Sequence, residues 1–591
     1  MEDVIEDIGS ISDKFLYKEV VGRPRNWRKA VVEEEIHFKK INSIEDLFDE
    51  IRLKDELDIK KVDLLISLFI GSINDIDRVK EGLPKTTLDR VKQKIQLFDG
   101  DQTRFVYQKP SKKKIRIQGL SGTGKTELLL HKLKELYTSK PNSKIFFTCH
   151  NKILADNLRK RIPSFFNFMK VEQQIEWESR LWCANAWGTN SEPNSGAYRY
   201  ICAKYQIPYY GWSHQMSFSK ACGLACQDLR VKYKTKIPPA FNYMLIDESQ
   251  DFDVNFLELC DLVTEDNIYI AGDIFQSIFD AQISSTIEPD FLLGKCYRTD
   301  PKTLMFAHAL GMGLFEETKL RWLETKEWID CGYLVNIDEE RQFHLSREPL
   351  RRFEDIEEEF ESIEIVRVQH DAKYEDSVLK ILHEIIDQNP TVKPDDIGII
   401  FLDYGNETYR LADVLEVKIK LSLNWDVNKA YETKIKIPET ILISNRNNVK
   451  GLEFPFVICI SHKITKDPSY RNSLYTMLTR SFIKSFFVIE ATKESGLTNK
   501  MLSGLKQILQ EKEMVIKEPS PIEKNSIRTR FEGTLKTISH YDTMLKIFKN
   551  LGIEEKFHDK LLKMTHDFEM VDSDEETLMD FVKHNKKFLK L

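Results

Sequence analysis

Residues 119–126 read GLSGTGKT, which satisfies the pattern G-x-x-x-x-G-K-[ST]. The apolar run IRIQ stands before it and the helical run ELLLHKLKELY follows. A strand that feeds a helix through a glycine-rich turn commits its part of the chain to a parallel α/β sheet. Gly119, Gly122 and Gly124 let the loop's backbone N–H groups, those of Ser121 and Thr123 among them, wrap a phosphate at a helix N-terminus whose dipole favours anions. Lys125 would neutralise β- and γ-phosphates and the Thr126 hydroxyl would ligate Mg²⁺, with Glu127 beside them in the first helical turn. A glycine-rich turn met by chance would lack these flanks.

Downstream, YMLIDESQD occupies residues 243–251. A buried strand ending in Asp247 and Glu248 would set two carboxylates beside the phosphate loop. Asp247 can then hold Mg²⁺, and Glu248 can polarise an attacking water. Alone, an acidic pair at a strand end is more often solvated surface; the upstream loop reverses that reading.

The chain has 591 residues, too many for one core. From Ile115 onward, β-branched runs alternate with amphipathic helical stretches. One set of strand candidates is IRIQ at Ile115, KIFFT at Lys144, YMLID at Tyr243 and NIYIAGD at Asn267. A second is EIVRVQ near Glu364, IGIIFL at Ile397, ILIS at Ile441, FPFVICIS at Phe454 and SFFVIE at Ser485, with helices such as EDSVLKILHEII from Glu375 between them. Two tandem parallel-sheet lobes are expected. The division is a mostly helical region 1–95, a first lobe 96–310, a connector 311–361, a second lobe 362–510 and a helical region 511–591. A Trp-, Tyr- and Cys-rich insertion at about 160–240 is expected to interrupt the first lobe.

The formal net charge of −7 argues against a wholly basic nucleic-acid binder but permits a local basic channel. No apolar run approaches the roughly 18 residues of a membrane span. The acidic start MEDVIEDIGS lacks a secretion-signal pattern, and nine scattered cysteines do not read as a disulfide framework. A cytoplasmic chain with no membrane partner is expected.

The ordered motifs resemble those of UvrD/Rep-type superfamily 1 helicases. DESQD is similar to the family's second motif, and FTCHNKILADNL from Phe147 to a segment that contacts single-stranded nucleic acid. AGDIFQSIF from Ala271 resembles GDxxQSIY and implies Gln276 near the γ-phosphate. CYRTDPKTLMFAHAL from Cys296 resembles the NYRS motif and implies Arg298. NNVKGLEF from Asn447 resembles SAKGLEF, whose Glu453 would meet the ribose; LYTMLTRS from Leu474 resembles LYVALTRA and implies Arg480. Gln102, in FDGDQTRFVY, stands at about the spacing of the glutamine that reads adenine. The resemblance covers roughly residues 95–495. It implies two RecA-like lobes, ATP with Mg²⁺ between them, and single-stranded nucleic acid across their top, with DNA ahead of RNA and movement 3′ to 5′. Arg298 and Arg480 converging on one γ-phosphate would stabilise transition-state charge and sense its loss.

The match departs in places. Cys149 stands where an aromatic is usual, FDAQI keeps only Phe279 of a stacking stretch, and Asn447 replaces a histidine. Only about 38 residues separate Leu402 from Ile441, too few for the large second-lobe insertion. The resemblance implies a helicase or translocase in DNA repair or anti-phage defence; an ATP-switched sensor or scaffold that controls a partner such as a nuclease or another effector, without processive unwinding, is the alternative. A small-molecule kinase would make the later motifs accidents.

Other groupings read as structure first. Cys183, Cys202, Cys222 and Cys226 could hold zinc or an iron–sulfur cluster, but buried core is the commoner fate. The run SKKKIR from Ser111, with Arg159, Lys160 and Arg161, could meet phosphates yet is more often a solvated face. The insertion aromatics Trp182, Trp187, Tyr198, Tyr200, Tyr209, Tyr210 and Trp212 could stack bases or fill a core. The acidic run at Asp572 reads as solvated surface.

Overall fold

A computed structural model describes the chain except for residues 1, 34–42, 54, 75, 77–85, 94–96, 214, 274–288, 294–295, 297–298, 349–359, 370–372, 404, 434, 447–448, 450–451, 491–495, 526, 528–539, 568–569, 571–574 and 587–591. It divides into two compact units. The first takes residues 1–109, 130–141 and 160–175; the second takes 110–129, 142–159 and 176–591.

In the first unit, helices Glu2–Lys14, Pro24–Val31 and Glu56–Ile70 enclose Tyr17, Trp27, Leu64 and Leu68. The last of these helices starts where the Asp55 carboxylate accepts the Leu57 and Asp58 N–H groups, and stops at Gly71 in the left-handed region. Lys132 is buried within this unit and its ammonium donates to the Val106 carbonyl at 2.8 Å.

The second unit is α/β. Its strands are β1 (Lys114–Gly119), β2 (Ile145–Cys149), β3 (Leu181–Asn185), β4 (Phe241–Ile246), β5 (Thr264–Asp273), β6 (Phe291–Leu293), β7 (Leu334–Ile337) and β8 (Gln342–Ser346). There follow β9 (Ile363–Val368), β10 (Ile397–Phe401), β11 (Asp426–Lys429), β12 (Thr440–Asn445), β13 (Phe454–Ser461), β14 (Ser481–Glu490) and β15 (Glu513–Lys517). Two parallel six-stranded sheets result, in the orders β3-β2-β4-β5-β1-β6 and β11-β12-β10-β13-β14-β9. Every residue of β2, β10 and β13 is buried, as expected of parallel strands covered on both faces. These are the two RecA-like lobes expected from the sequence, and all nine strand candidates lie in them.

Three segments differ from the sequence reading. Residues 181–185, inside the expected insertion, pair with β2 as an edge of the first sheet. The expected connector holds the hairpin of β7 and β8. The start of the expected helical tail, residues 513–517, is a strand that pairs antiparallel with β8; Met514 and Ile516 alternate inward, which favours a strand over a helix turn. Beyond it, helices His540–Leu551, His558–Asp567 and Glu575–Lys586 share a core of Ile547, Phe548, Leu561, Leu562 and Val582.

The small sheet carries a titratable clasp. His344 lies 3.1 Å from Glu513 Oε2 and 3.3 Å from Asp338 Oδ2. The bonds to Glu513 and Asp338 raise its imidazole above the ordinary value. A raised folded value means that the clasp contributes fully below the unfolded pKa and is lost as pH rises through the folded one. Exchange protection of the β8 and β15 amides is therefore expected to be higher at about pH 5.5 than at about pH 8. The difference should vanish in His344→Gln, and equal protection at both pH values would remove His344 from this account.

Candidate active site

β4, β5 and β1 are neighbours in the first sheet, so their C-terminal ends share one edge. Gly119 pairs in register with Asp273, and Ile246 with Ile270. The loop after β1 and the acidic pair after β4 therefore meet. Gly122 and Gly124 have φ of +83° and +84°, the region a Cβ disfavours, which lets the loop curl back on itself.

Ser121, Thr123 and Lys125 are buried, and Glu127 is half-buried in the first turn of the helix Lys125–Ser139. The Lys125 ammonium folds over the loop and donates to the carbonyls of Gly119 and Leu120 at 2.9 and 2.8 Å. The Thr126 hydroxyl donates to Asp247 Oδ2 at 2.7 Å, and the Glu248 N–H to Asp247 Oδ1 at 2.9 Å. Burial raises the Asp247 carboxyl and the Glu248 charge raises it further; the Thr126 and Glu248 hydrogen bonds and Lys125 oppose them. Two hard oxygen donors lie side by side here, one on a buried acid, and a divalent cation would add countercharge to that of Lys125.

Glu248 has a φ of +52°, rare for a residue with a side chain. Gln250 holds it: its Nε2 donates to Glu248 Oε2 at 2.6 Å, while its Oε1 accepts the Asp273 N–H at 2.9 Å. One amide thus joins the carboxylate after β4 to the end of β5. Arg480 arrives from the second lobe, past the helix Pro468–Leu478. It is only 3% exposed, its guanidinium stands 4.0 Å from Glu248 Oε1, and its Nε has no hydrogen-bond partner among the described residues. The Thr299 hydroxyl donates to the Thr479 and Ser481 carbonyls at 3.2 and 3.4 Å and secures the same turn. Phe454 N–H donates to the Arg480 carbonyl at 3.1 Å, so exposed Glu453 stands one residue from that contact.

Lys125, Thr126, Asp247, Glu248 and Arg480 therefore come together. Gln276 and Arg298 lie outside the described residues, as do Phe279 and Asn447. Gln102 is a buried residue of the first unit, where its side-chain oxygen accepts the Asp99 N–H at 3.0 Å and caps the helix Gly100–Tyr107. The sequence reading missed Gln250, although DESQD contains it; nothing in a linear pattern shows that a left-handed Glu248 turns the two side chains face to face.

The insertion aromatics divide. Trp182 and Tyr198 are buried, with Cys202, Cys222 and Cys226 in the same core, while Trp187, Tyr200, Tyr209 and Tyr210 pack against it. Trp212 is 51% exposed. Exposed His150, just past β2, lies with its ring 6.0 Å from Phe218 and 5.6 Å from Phe252, at the same sheet edge as the loop. Burial pushes the Cys183 thiol up to about 12 and that of Cys202 up to about 11, away from the thiolate that metals bind. Lys112 pairs with Asp290 at 2.8 Å, and Lys113 and Lys114 with Asp261 at 3.1 and 2.6 Å, at the opposite end of β1 from the loop. Arg159 stacks 3.6 Å from the centre of the Trp177 ring.

Two family models match parts of this chain. Residues 440–488, which hold Glu453 and Arg480, match the family model of the UvrD-like helicase C-terminal domain. Residues 84–250, which hold Lys125, Asp247 and Glu248, match the family model described as type III restriction enzyme, res subunit. No curated protein matches the chain. Among solved structures, the C-terminal domain of a possible DNA helicase from Lactobacillus plantarum WCFS1 is 20% identical, with 23% of this chain and 77% of that one covered, at a TM-score of 0.19. At that level the likeness says nothing of activity. The two family matches support a superfamily 1-type nucleic-acid helicase or ATPase.

Proposed function

We propose that this chain, a superfamily 1-type helicase of the UvrD-like kind, is an ATP-driven motor on single-stranded nucleic acid, with DNA as its track ahead of RNA. The observation that carries the reading is the approach of buried Arg480, from the second lobe, to Glu248 of the first, beside the phosphate loop. A base and a charge-stabilising cation supplied from opposite sides make hydrolysis depend on how the lobes meet. Glu248, held by Gln250, takes a proton from water aimed at the γ-phosphate. Lys125 and the loop N–H groups bind the phosphates, and Arg480 stabilises charge on the γ-phosphoryl group, joined by Gln276 and Arg298. Thr126 and Asp247 would hold Mg²⁺, which neutralises phosphate charge when bound. Gln102 reads adenine and Glu453 the ribose. Loss of the γ-phosphate removes the partner of Arg480, and reopening of the lobes advances the strand in the 3′ to 5′ direction. Exposed His150, next to the Cys149 that stands where an aromatic is usual, serves as a base-stacking surface.

The test is ATP turnover with and without single-stranded DNA, single-stranded RNA and duplex, with Lys125→Ala as the blank. Strong stimulation by one single strand is the expected outcome and names the track. A rate indifferent to all three would overturn the motor reading and leave the alternative, an ATP-switched sensor that controls a nuclease or other effector. One observation favours that alternative: between β10 and β12 the described residues hold only the helix Asn406–Leu423, the short β11 and the one-turn helix Ala430–Thr433, and form no accessory domain to split a duplex. Robust strand displacement by the isolated chain would exclude it.

A further inference from the structure

Tyr475 lies on the helix Pro468–Leu478, five residues before Arg480, and is fully buried. Its hydroxyl oxygen accepts the Ser121 N–H of the phosphate loop at 3.5 Å. On the other side of the same residue, the Cys296 thiol donates to the Ser121 carbonyl at 3.0 Å. Ser121 is thus held at both backbone polar groups by side chains from outside the loop, one of them in the second lobe.

The Tyr475 ring is itself fixed. It stacks on the buried His308 imidazole, with centroids 5.1 Å apart and planes 27° apart. His308 Nδ1 bonds the Tyr333 hydroxyl at 2.5 Å, and the Arg347 guanidinium caps the Tyr333 ring 4.7 Å from its centre. Tyr333 and Arg347 flank the hairpin of β7 and β8. Burial keeps the Tyr475 hydroxyl protonated and the His308 ring neutral, so the column is a stack of uncharged rings ending in one cation.

A phosphate chain wrapped by residues 119–126 draws on the N–H groups of that loop. An N–H turned toward the Tyr475 hydroxyl is a poorer donor to a phosphate oxygen, because the two acceptors must share one hydrogen. We propose that Tyr475 is a nucleotide-responsive positioning residue: its hydroxyl competes with the phosphates of ATP for the Ser121 N–H, so that phosphate entry frees the second-lobe helix that leads into Arg480. The inference rests on the reading of residues 119–126 as an ATP site and adds a residue to which that reading gives no role. It also gives the stacked column a use, since His308 and Tyr333 hold the hydroxyl in reach of the Ser121 amide.

The test is equilibrium titration of the full chain with ATP, pyrophosphate and adenosine, for wild type, Tyr475→Phe and Tyr475→Leu, with Lys125→Ala as the blank. Tyr475→Phe keeps the stack and removes only the oxygen. It is expected to bind ATP and pyrophosphate about two- to tenfold more tightly, the span of one modest net hydrogen bond. Adenosine affinity should be unchanged and the melting temperature close to wild type. Tyr475→Leu also removes the stack, and its lower melting temperature marks what structural damage alone does. Equal or weaker binding of ATP by Tyr475→Phe, or a matching gain for adenosine, would overturn the competition. A wild-type chain that binds no nucleotide would instead sink the ATP site itself, and so the two failures are told apart.

Discussion

Glu248→Gln is expected to lower kcat for ATP by at least about 10²-fold, the lower end of what a positioned general base contributes. The substitution exchanges one oxygen for an NH₂ group of nearly equal size. Gln250 can still meet the remaining oxygen, and Asp247 keeps its bonds to Thr126 and to the backbone of residue 248. Nucleotide affinity should therefore stay within a few-fold of wild type, because the phosphates are held by Lys125 and the loop. Steady-state turnover measured beside equilibrium ATP binding separates the two effects. If turnover survives, another group takes the proton and the assignment of Glu248 is wrong.

Arg480→Ala is expected to cost about 10³-fold or more in kcat, the scale of an arginine that stabilises a transferring phosphoryl group. The Arg480 side chain is buried, and among the described residues its charge is met by Glu248 at 4.0 Å. An arginine kept buried with so loose a partner is poised for a second anion, and a γ-phosphate beside Glu248 would be that anion. Removing it should leave ATP binding largely intact and slow the chemical step in a single-turnover experiment. A fall of less than tenfold, with the fold preserved by melting temperature, would show that Arg480 serves structure and that charge is stabilised elsewhere.

The parts of the molecule that were legible beforehand share a physical reason. Strands such as β10 and β13 are buried on both faces, so their apolar runs stand out in the sequence. The strands that went unread in the two large sheets, β3, β6 and β11, all lie at sheet edges. There one side needs no partner strand and composition is free: β11 is only DVNK, and β6 is three residues long. β8 and β15 escaped notice because their pairing joins residues 342–346 to 513–517, a match that no local pattern announces. In the site, the phosphate loop and the acidic pair were readable because each binds through contiguous residues. Gln250 was not, since its use depends on the backbone turn at Glu248, and Tyr475 was not, since its partner is an amide 354 residues away.

The small sheet also has a mechanical consequence. β8 leads toward the second lobe and β15 follows it, and the two strands are bonded to each other. The lobe is therefore hung from two anchor points that cannot separate unless that strand pair tears. Pulling the entry and the exit of the lobe apart would have to shear five residue pairs at once, from Glu513–Ser346 to Lys517–Gln342.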